Sequence, residues 1–190
     1  SEVAGAKPVV VVFLNGSALS ATWAAEHVPA IVEAWYPGQA AGDALADVLF
    51  GDYNPAGRLP VTFYKSVNDL PPFSEYTMRN RTYRYFKGEP LYPFGHGLSY
   101  TTFSYSGLRV PAKVRAGGPI IVSVDVKNTG DRDGEEVVQL YVTDLKASAP
   151  VPIRSLRGFT RIYLKEGERR SVQFALSPRD FSLIDESGKR

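Results

Sequence analysis

The chain has 190 residues but no cysteine, a single methionine and only two histidines, His27 and His96. Without cysteine it can form no disulfide, no thiolate nucleophile and no cysteine-ligated metal site. Two histidines that lie far apart in the sequence would need help from carboxylates to hold a metal ion. We therefore predict no structural metal and no cofactor.

Long apolar runs and a dominant sign of charge are also missing. The longest apolar run, residues 8–14, is far too short to span a bilayer, and the N-terminus lacks the basic-then-apolar order of a signal peptide. The 22 basic and 20 acidic residues are interspersed and give a net charge of +2. We expect a water-soluble chain without a nucleic-acid or membrane partner, from which any export signal is absent.

The apolar content of the chain is an ordinary 44%, which is enough for a packed core. Residues 81–103 form a stretch rich in aromatic side chains, RTYRYFKGEPLYPFGHGLSYTTF. This stretch alternates tyrosine and phenylalanine with turn-forming proline and glycine. A free linker would be poor in aromatics. The composition therefore predicts a segment that packs against a neighbouring structure.

Before this stretch, the pattern is that of an α/β domain. Residues 7–15 read as a buried parallel strand, residues 22–35 as a helix shortened or kinked by Pro29, residues 40–50 as a second helix stopped by Gly51, and residues 58–64 as a second strand. Two strands cannot cover two helices, so this part looks incomplete.

After the stretch, short alternating segments with regular turn signals predict antiparallel strands. They are residues 120–126, 136–142, 156–164, 171–176 and 181–183, with sheet-to-sheet packing expected from Val124, Val126, Val138, Leu140, Phe159 and Phe174. The predicted fold class is a layered, partial α/β sandwich followed by an all-β immunoglobulin or fibronectin III-like sandwich. We place the domains at residues 1–103 and 104–190.

Three stretches resemble one known family: KPVVVVFLNGSALS, AIVEAWYPGQAAGDALADVLFGDYNPAGRLPVTFYKSVNDLP and LYPFGHGLSYTTF. They are similar to the end of the α/β-sandwich domain of glycoside hydrolase family 3, the β-glucosidase and β-xylosidase type. Residues 104–190 resemble the fibronectin type III-like domain that follows it. Residues 76–86 are closer to bacterial β-xylosidase-like members.

The resemblance implies a C-terminal portion of a retaining β-glycosidase. In the family, the nucleophilic Asp comes from an N-terminal barrel and the acid/base Glu from a loop before the strand that corresponds to residues 7–15, so no catalytic residue is assigned here. The implied partners are that barrel and α/β segment, a β-linked oligosaccharide or aryl glycoside in the intact enzyme, and a second copy of the chain. The implied location is periplasmic or secreted, with the cytoplasm as the alternative.

The acids that are present offer weak alternatives. Glu26 and Glu33 would lie about 10 Å apart on one helix face, which does not suit the pair of carboxyl groups a retaining glycosidase needs. Asp43 and Asp47 form an i, i+4 pair that helix-end electrostatics and solvation explain. We interpret all four as solvated acids.

Three further sets of residues are candidates for function. Ser17, His27 and Asp43 occur in the order of a hydrolase triad but lack the nucleophile-elbow glycines, and Asn15 with Gly16 could hold a ligand at a strand end or simply form a turn. Met78, Arg79 and Arg81 lie just before or at the start of the aromatic stretch and are candidates for the rim of the sugar pocket, although sealing a domain interface would explain them too.

Two hypotheses follow. In the first, the chain completes and stabilises a β-glycosidase and is inactive alone. In the second, it is a stand-alone module that binds a carbohydrate or a protein through its sandwich face, which would need two or three aromatic side chains on the solvent side of one sheet.

Overall fold

The chain forms two compact units in the computed structural model, which describes residues 7–115, 117–147, 149–184 and 188. Within these residues, the first unit comprises 7–53 and 59–96, and the second comprises 54–58 and 97 onward. The boundary proposed between residues 103 and 104 stays a prediction. No helix in this described part is long and apolar enough to cross a bilayer.

The first unit is a small α/β arrangement. Strand β1 (Val10–Phe13) leads to helix α1 (Thr22–His27), strand β2 (Ala30–Glu33) and helix α2 (Ala41–Phe50). The two strands pair in parallel, with Val10 opposite Ala30 and Phe13 opposite Glu33. A parallel strand within residues 7–15 and the second helix are confirmed, but the predicted burial of that strand is not, since none of the four residues of β1 is buried. Gly51 ends α2 in the left-handed conformation at φ 87°, as a C-terminal glycine commonly does.

The single helix predicted over residues 22–35 is wrong. The helix ends at His27, and the chain becomes extended at Val28 with φ −113° and ψ 129°. Pro29 disfavours the α conformation for the residue before it. The β-branched Ile31 and Val32 that follow prefer a strand, and here they pair with β1.

The strand predicted over residues 58–64 is also not formed. This segment is irregular: Phe63 forms an isolated antiparallel bridge with Tyr92, and Leu59 exchanges backbone hydrogen bonds with Gly95 and His96. Pro60 removes one ladder donor. Phe63 is nevertheless 3% exposed, because its ring makes edge contacts with Trp35 and Tyr92.

The aromatic stretch packs into the first unit as predicted. Its rings meet in pairs: Tyr83 stacks on Phe94 with ring centroids 4.2 Å apart, and Tyr92 stacks on His96 at 5.1 Å. Offset stacking of this kind adds about 0.5–1.5 kcal/mol per pair beyond the buried area. A short helix, α3 (Thr82–Tyr85), begins the stretch.

The second unit is a β-sandwich of two antiparallel sheets. One sheet has the order β3 (Phe103–Arg109), β4 (Ile120–Asn128), β7 (Arg169–Leu176), and the other pairs β5 (Gly134–Val142) with β6 (Ser155–Leu164). Four of the predicted strands are confirmed. Strand β3 was missed, and the predicted strand at 181–183 is wrong because Pro178–Phe181 form a 3-10 helix.

The core of the sandwich lies between the inward faces of the two sheets. Val126, Val138 and Leu164 are at most 2% exposed and pack with Ile162 and Val172. Phe103, Val124 and Phe174 pack against this cluster. Phe159 was predicted to join it, but it lies on the outward face of β6 and is 69% exposed.

A fully buried asparagine, Asn128, ties the end of β4 to its surroundings. Its Oδ1 accepts hydrogen bonds from Thr101 Oγ1 at 2.7 Å and from Gly130 N at 3.2 Å. Its Nδ2 donates to the carbonyl oxygens of Arg132 at 2.8 Å and Leu164 at 3.2 Å. All the capacity of the amide group is thus used, as burial requires.

A second polar network surrounds Glu136, whose side chain is 11% exposed. Its carboxylate accepts from Arg58 at 2.5 Å and from the Tyr105 hydroxyl at 2.7 Å. Desolvation, followed by the hydrogen bond to Glu136, raises the pKa of Tyr105. Arg58 belongs to the five-residue segment that joins the second unit, so this ion pair fixes that segment to the sandwich.

Candidate functional site

The loop at residues 71–82 carries the candidates for the rim, and it is rich in exposed apolar side chains. Phe73 is 94% exposed, Tyr76 91% and Met78 49%. Large apolar side chains exposed this far typically mark an interaction surface or a ligand-binding surface. The three rim candidates lie together in this loop but have different surroundings.

Arg81 is directed towards the backbone of its own loop. Its guanidinium donates to the carbonyl oxygens of Pro72 at 3.0 Å, Glu75 at 2.9 Å and Pro71 at 3.5 Å. Hydrogen bonds from a charged donor are stronger than neutral ones. These contacts favour a role in which Arg81 holds the loop closed.

The residues on both sides of Arg81 are backbone outliers. Asn80 and Thr82 have φ values of 54° and 57°, a region that a β-branched residue rarely adopts. The Asn80 side chain donates to the Asp69 carbonyl and accepts from Lys87 N, and Thr82 N donates to the Tyr64 hydroxyl at 2.7 Å. Strain of this kind costs about 1–3 kcal/mol and clusters at binding sites. No glycine signals it in the sequence.

Arg79 and Met78 are presented outward. Arg79 is 80% exposed and pairs with Glu75 at 3.2 Å. The hydrogen bond from the Thr77 hydroxyl, together with the positive charge of Arg79, holds the pKa of Glu75 below its usual range. The loop therefore carries a balanced ion pair beside an exposed thioether.

A second polar site lies at the carboxyl ends of the two parallel strands, where ligands of α/β sheets bind. The Asn15 Nδ2 donates to the Ser17 carbonyl at 2.6 Å and to Glu33 at 3.3 Å. The Glu33 carboxylate also accepts from Trp35 N at 3.0 Å, and Trp35 has a positive φ of 53°. The contacts are those of a tight turn that holds Glu33.

The acids considered as catalysts do not form a site. Glu26 lies on α1 and Glu33 on β2, so the prediction that they share a helix face is wrong. Asp43 and Asp47 are both exposed on α2, as solvation predicts. No group of three or more His, Cys, Asp or Glu in the described residues could hold a metal ion.

The Ser17, His27 and Asp43 triad is not assembled. The His27 ring stacks on Trp23 with centroids 4.8 Å apart, and its Nδ1 is 2.8 Å from the Trp23 carbonyl oxygen. This contact requires the proton on Nδ1. No hydrogen bond joins the three candidate residues within the described ranges, so His27 packs on its own helix.

The two units define a class of protein by fold: a small layered α/β unit joined to an antiparallel β-sandwich. Residues 1–100 match the family model described as the glycosyl hydrolase family 3 C-terminal domain, and residues 136–190 match that of a fibronectin type III-like domain. The chain belongs to glycoside hydrolase family 3.

The relatives are β-xylosidases and β-glucosidases. The chain is 45% identical to a xylan 1,4-β-xylosidase of Xylanibacter ruminicola, covering 96% of this chain and 21% of the relative. It is 42% identical to a periplasmic β-glucosidase of Salmonella typhimurium, covering 90% of this chain and 24% of the relative. The chain thus spans about a quarter of the length of these relatives, and it aligns with their C-terminal portion.

Solved structures agree. A β-glucosidase from Erythrobacter marinus superposes with a TM-score of 0.83 at 46% identity, covering 95% of this chain and 24% of that structure. A β-glucosidase from Listeria innocua bound to laminaribiose gives a TM-score of 0.84 at 33% identity, covering 96% and 27%. The fold class expected from the sequence is confirmed.

Proposed function

We propose that the intact protein is a retaining β-glycosidase that releases terminal β-D-glucosyl or β-D-xylosyl residues, and that this chain completes and stabilises it. A retaining enzyme needs two carboxyl groups about 5–5.5 Å apart. Both are supplied, in this proposal, by the barrel and α/β segment that make up the rest of the enzyme. Relatives named for both sugars support the two alternatives for the substrate.

The observation that carries the proposal is the open sheet of the first unit. In the described residues, β1 and β2 pair only with each other, whereas a parallel sheet is normally covered and extended on both sides. Val10 is 44% exposed and Leu14 60%, and Phe50 on the adjoining helix α2 is 84% exposed. Unpaired edges and apolar side chains of this kind fit further strands from the missing part of the enzyme.

Met78 and Arg79 are the residues we propose for the rim of the sugar pocket. Both side chains face outward from a loop that Arg81 and the strained residues Asn80 and Thr82 hold in one conformation. An Arg guanidinium can donate to sugar hydroxyls, and its partner Glu75 can accept from them. Arg81 contributes by positioning the loop.

The test uses the purified chain with 4-nitrophenyl β-glucoside and β-xyloside. We expect no turnover from the chain alone, and activity when it is combined with the part of the enzyme encoded upstream in the same gene. Turnover by the chain alone that Glu26→Gln abolishes would overturn the proposal. Sedimentation velocity provides a second measurement, since the open sheet should make the isolated chain self-associate; a monodisperse monomer at high concentration would argue against an uncovered sheet.

A periplasmic or secreted location belongs to the same proposal. It rests on the Salmonella relative that is named periplasmic. Detection of the intact protein in osmotic-shock or culture fractions would support it, whereas recovery with cytoplasmic markers would assign the cytoplasm instead.

The alternative of a stand-alone binding module has one observation in its favour. Phe159 and Tyr163 project from the outward face of β6 and are 69% and 47% exposed, as a carbohydrate platform requires. Since nearly all of the chain aligns within longer enzymes, we favour the first proposal.

A further inference from the structure

The sheet of β5 and β6 has an outward face on which aromatic side chains alternate with polar ones. Side chains two positions apart along a strand point to the same side of a sheet. The residues on this side, which we call the β5–β6 face, include Glu135, Val137, Gln139 and Tyr141 of β5 and Phe159, Arg161 and Tyr163 of β6. The residues between them, such as Val138 and Ile162, are buried in the core. Register and burial therefore agree on which side of the sheet faces solvent.

Two aromatic rings on the β5–β6 face are open to solvent. Phe159 is 69% exposed and Tyr163 47%, whereas the outward positions of a sandwich are normally polar. The two residues are four positions apart on β6, which places them about 13 Å from each other along the strand. Both rings can therefore be reached by one ligand that lies along β6.

The tyrosine side chains on this face are held in place. The Tyr163 hydroxyl donates to Asp133 Oδ2 at 2.5 Å. The Tyr141 hydroxyl donates to Gln139 Oε1 at 2.6 Å, and the Arg154 guanidinium lies 5.4 Å from the centroid of the Tyr141 ring. Side chains that are already ordered lose little conformational entropy when a ligand binds. The face is thus organised before any ligand arrives.

The charges on this face balance one another. Arg161 and Glu135 form an ion pair at 3.4 Å, and the side chains that contact the tyrosines add one more arginine, Arg154, and one more acid, Asp133. Two arginines and two acids leave no net field that would attract a charged polymer. A guanidinium has five N–H donors, and the Arg161 side chain is 51% exposed, so it can still donate to a neutral oxygen.

The β5–β6 face is too small for a stable protein partner. Its strands have nine and ten residues, so the face is roughly 30 Å long and, with two strands about 4.8 Å apart, roughly 10 Å wide. The resulting area of about 300 Å² is well below the roughly 800 Å² that each partner buries in a stable protein complex. A long and narrow strip of this kind fits a linear chain molecule.

We propose that the β5–β6 face binds an extended, neutral polysaccharide of the xylan or β-glucan type. The C–H faces of two sugar rings pack on Phe159 and Tyr163, since the negative face of an aromatic ring attracts polarised C–H groups. A hydroxyl of the sugar between them accepts from Arg161. The proposal goes beyond the catalytic one and does not rest on it, because all residues of the face belong to the second unit.

The test is a depletion assay of the 190-residue chain on insoluble xylan and on acid-swollen cellulose, combined with NMR of the labelled chain during titration with xylohexaose and cellohexaose. We expect saturable binding to at least one of the two polysaccharides, a dissociation constant on the order of millimolar for its oligosaccharide, and amide shifts at Val137, Phe159 and Arg161. Polygalacturonate, an anionic polymer, should not compete. No saturable binding to either polysaccharide, competition by polygalacturonate, or shifts confined to the loop at residues 71–82 would overturn the proposal.

Variants of Phe159 separate ring stacking from simple apolarity. Phe159→Leu keeps an apolar side chain but removes the ring, and it should weaken binding by about fivefold, whereas Phe159→Tyr should retain it. The matched control is Leu108→Ala, since Leu108 is 66% exposed on strand β3 of the other sheet; it should leave binding unchanged. Unchanged binding by Phe159→Leu, or an equal loss in Leu108→Ala, would overturn the proposal.

Association between copies of the chain is the competing use of this face. Sedimentation velocity of Phe159→Leu at high concentration measures it, because an exposed position can be substituted with little effect on folding. We expect the same sedimentation coefficient as that of the unchanged chain. A lower sedimentation coefficient together with unchanged polysaccharide binding would assign the face to self-association and overturn the proposal.

Discussion

Replacing the buried Asn128 by alanine tests the claim that one amide group secures the sandwich. The substitution removes all four of its side-chain hydrogen bonds. Two of the partners are themselves buried, Thr101 at 4% and Leu164 at 0% exposure. The other two, the Arg132 carbonyl and the Gly130 amide, belong to residues that are not buried and can turn to water.

The expected loss follows from the two buried partners. Each buried group left without a partner costs about 1–3 kcal/mol, so the free energy of unfolding of this unit should fall by about 4 kcal/mol. Domains of this size have a total stability of about 5–15 kcal/mol. Asn128→Ala therefore removes a large part of the free energy of unfolding of this unit.

Amide hydrogen exchange in β4 and β7 is the suitable measurement, because both tryptophans, Trp23 and Trp35, lie in the first unit and do not report on the sandwich. A loss of about 4 kcal/mol corresponds to roughly 10³-fold faster exchange for amides that open with the whole unit. The control is Gln173→Ala, an exposed carboxamide on β7, which should change exchange by less than about threefold. Acceleration below about tenfold in Asn128→Ala would refute the reasoning.

Three further predictions concern charged groups. Glu136→Gln leaves Arg58, whose side chain is only 13% exposed, without its charged partner and should cost about 3–5 kcal/mol. Glu135→Gln, at a pair that is about half exposed, should cost at most about 1 kcal/mol; equal denaturation midpoints for the two variants would contradict this. Arg81→Ala should speed chymotryptic cleavage within residues 71–81 because three carbonyl contacts are lost, while Arg79→Ala should not; equal cleavage of the two would contradict the anchoring role. Hydrogen bonds from Arg109 lower the pKa of Asp125. The contribution of this pair to the free energy of unfolding is therefore present above the unfolded pKa of about 3.9 and is lost as the pH falls through the folded-state pKa. Asp125→Asn should make the urea midpoint fall less steeply with decreasing pH, and an unchanged slope would contradict the assignment.

The strands of the second unit could be predicted from the sequence because alternation and turn residues are local signals. Residues 120–126 and 136–142 show inward valines separated by polar residues, and both form strands. The face of the sheet on which each aromatic side chain lies was harder to predict. Phe159 follows a β-bulge in β6, where Leu140 lies opposite Gly158 and Tyr141 opposite Leu156, and it points outward. No composition rule marks this bulge.

Errors in the first unit have a common cause. Residues 22–35 have helical spacing of apolar side chains, yet Pro29 and the β-branched residues after it favour a strand that pairs with β1. Residues 58–64 have strand-like composition but are held by the Phe63 ring contacts instead. In both segments non-local pairing decided the structure, which a local pattern does not contain.

The rim candidates illustrate the limit for functional sites. A dense run of arginine and aromatic residues drew attention to residues 78–81, but the sequence does not distinguish an arginine that faces solvent from one that bonds carbonyl oxygens. The sequence does not predict the strained backbone at Asn80 and Thr82 either, since neither residue is glycine.

The short segment Asn54–Arg58 has a consequence for the order of folding during synthesis. Asn54 accepts hydrogen bonds from Ser99 and Tyr100, and Arg58 meets Glu136 across 78 positions of the chain. These residues leave the ribosome long before their partners do. A recombinant fragment that starts after this segment would contain Glu136 without its partner Arg58. To study the sandwich by itself, a circularly permuted chain that retains residues 54–58 is therefore preferable to a truncated one.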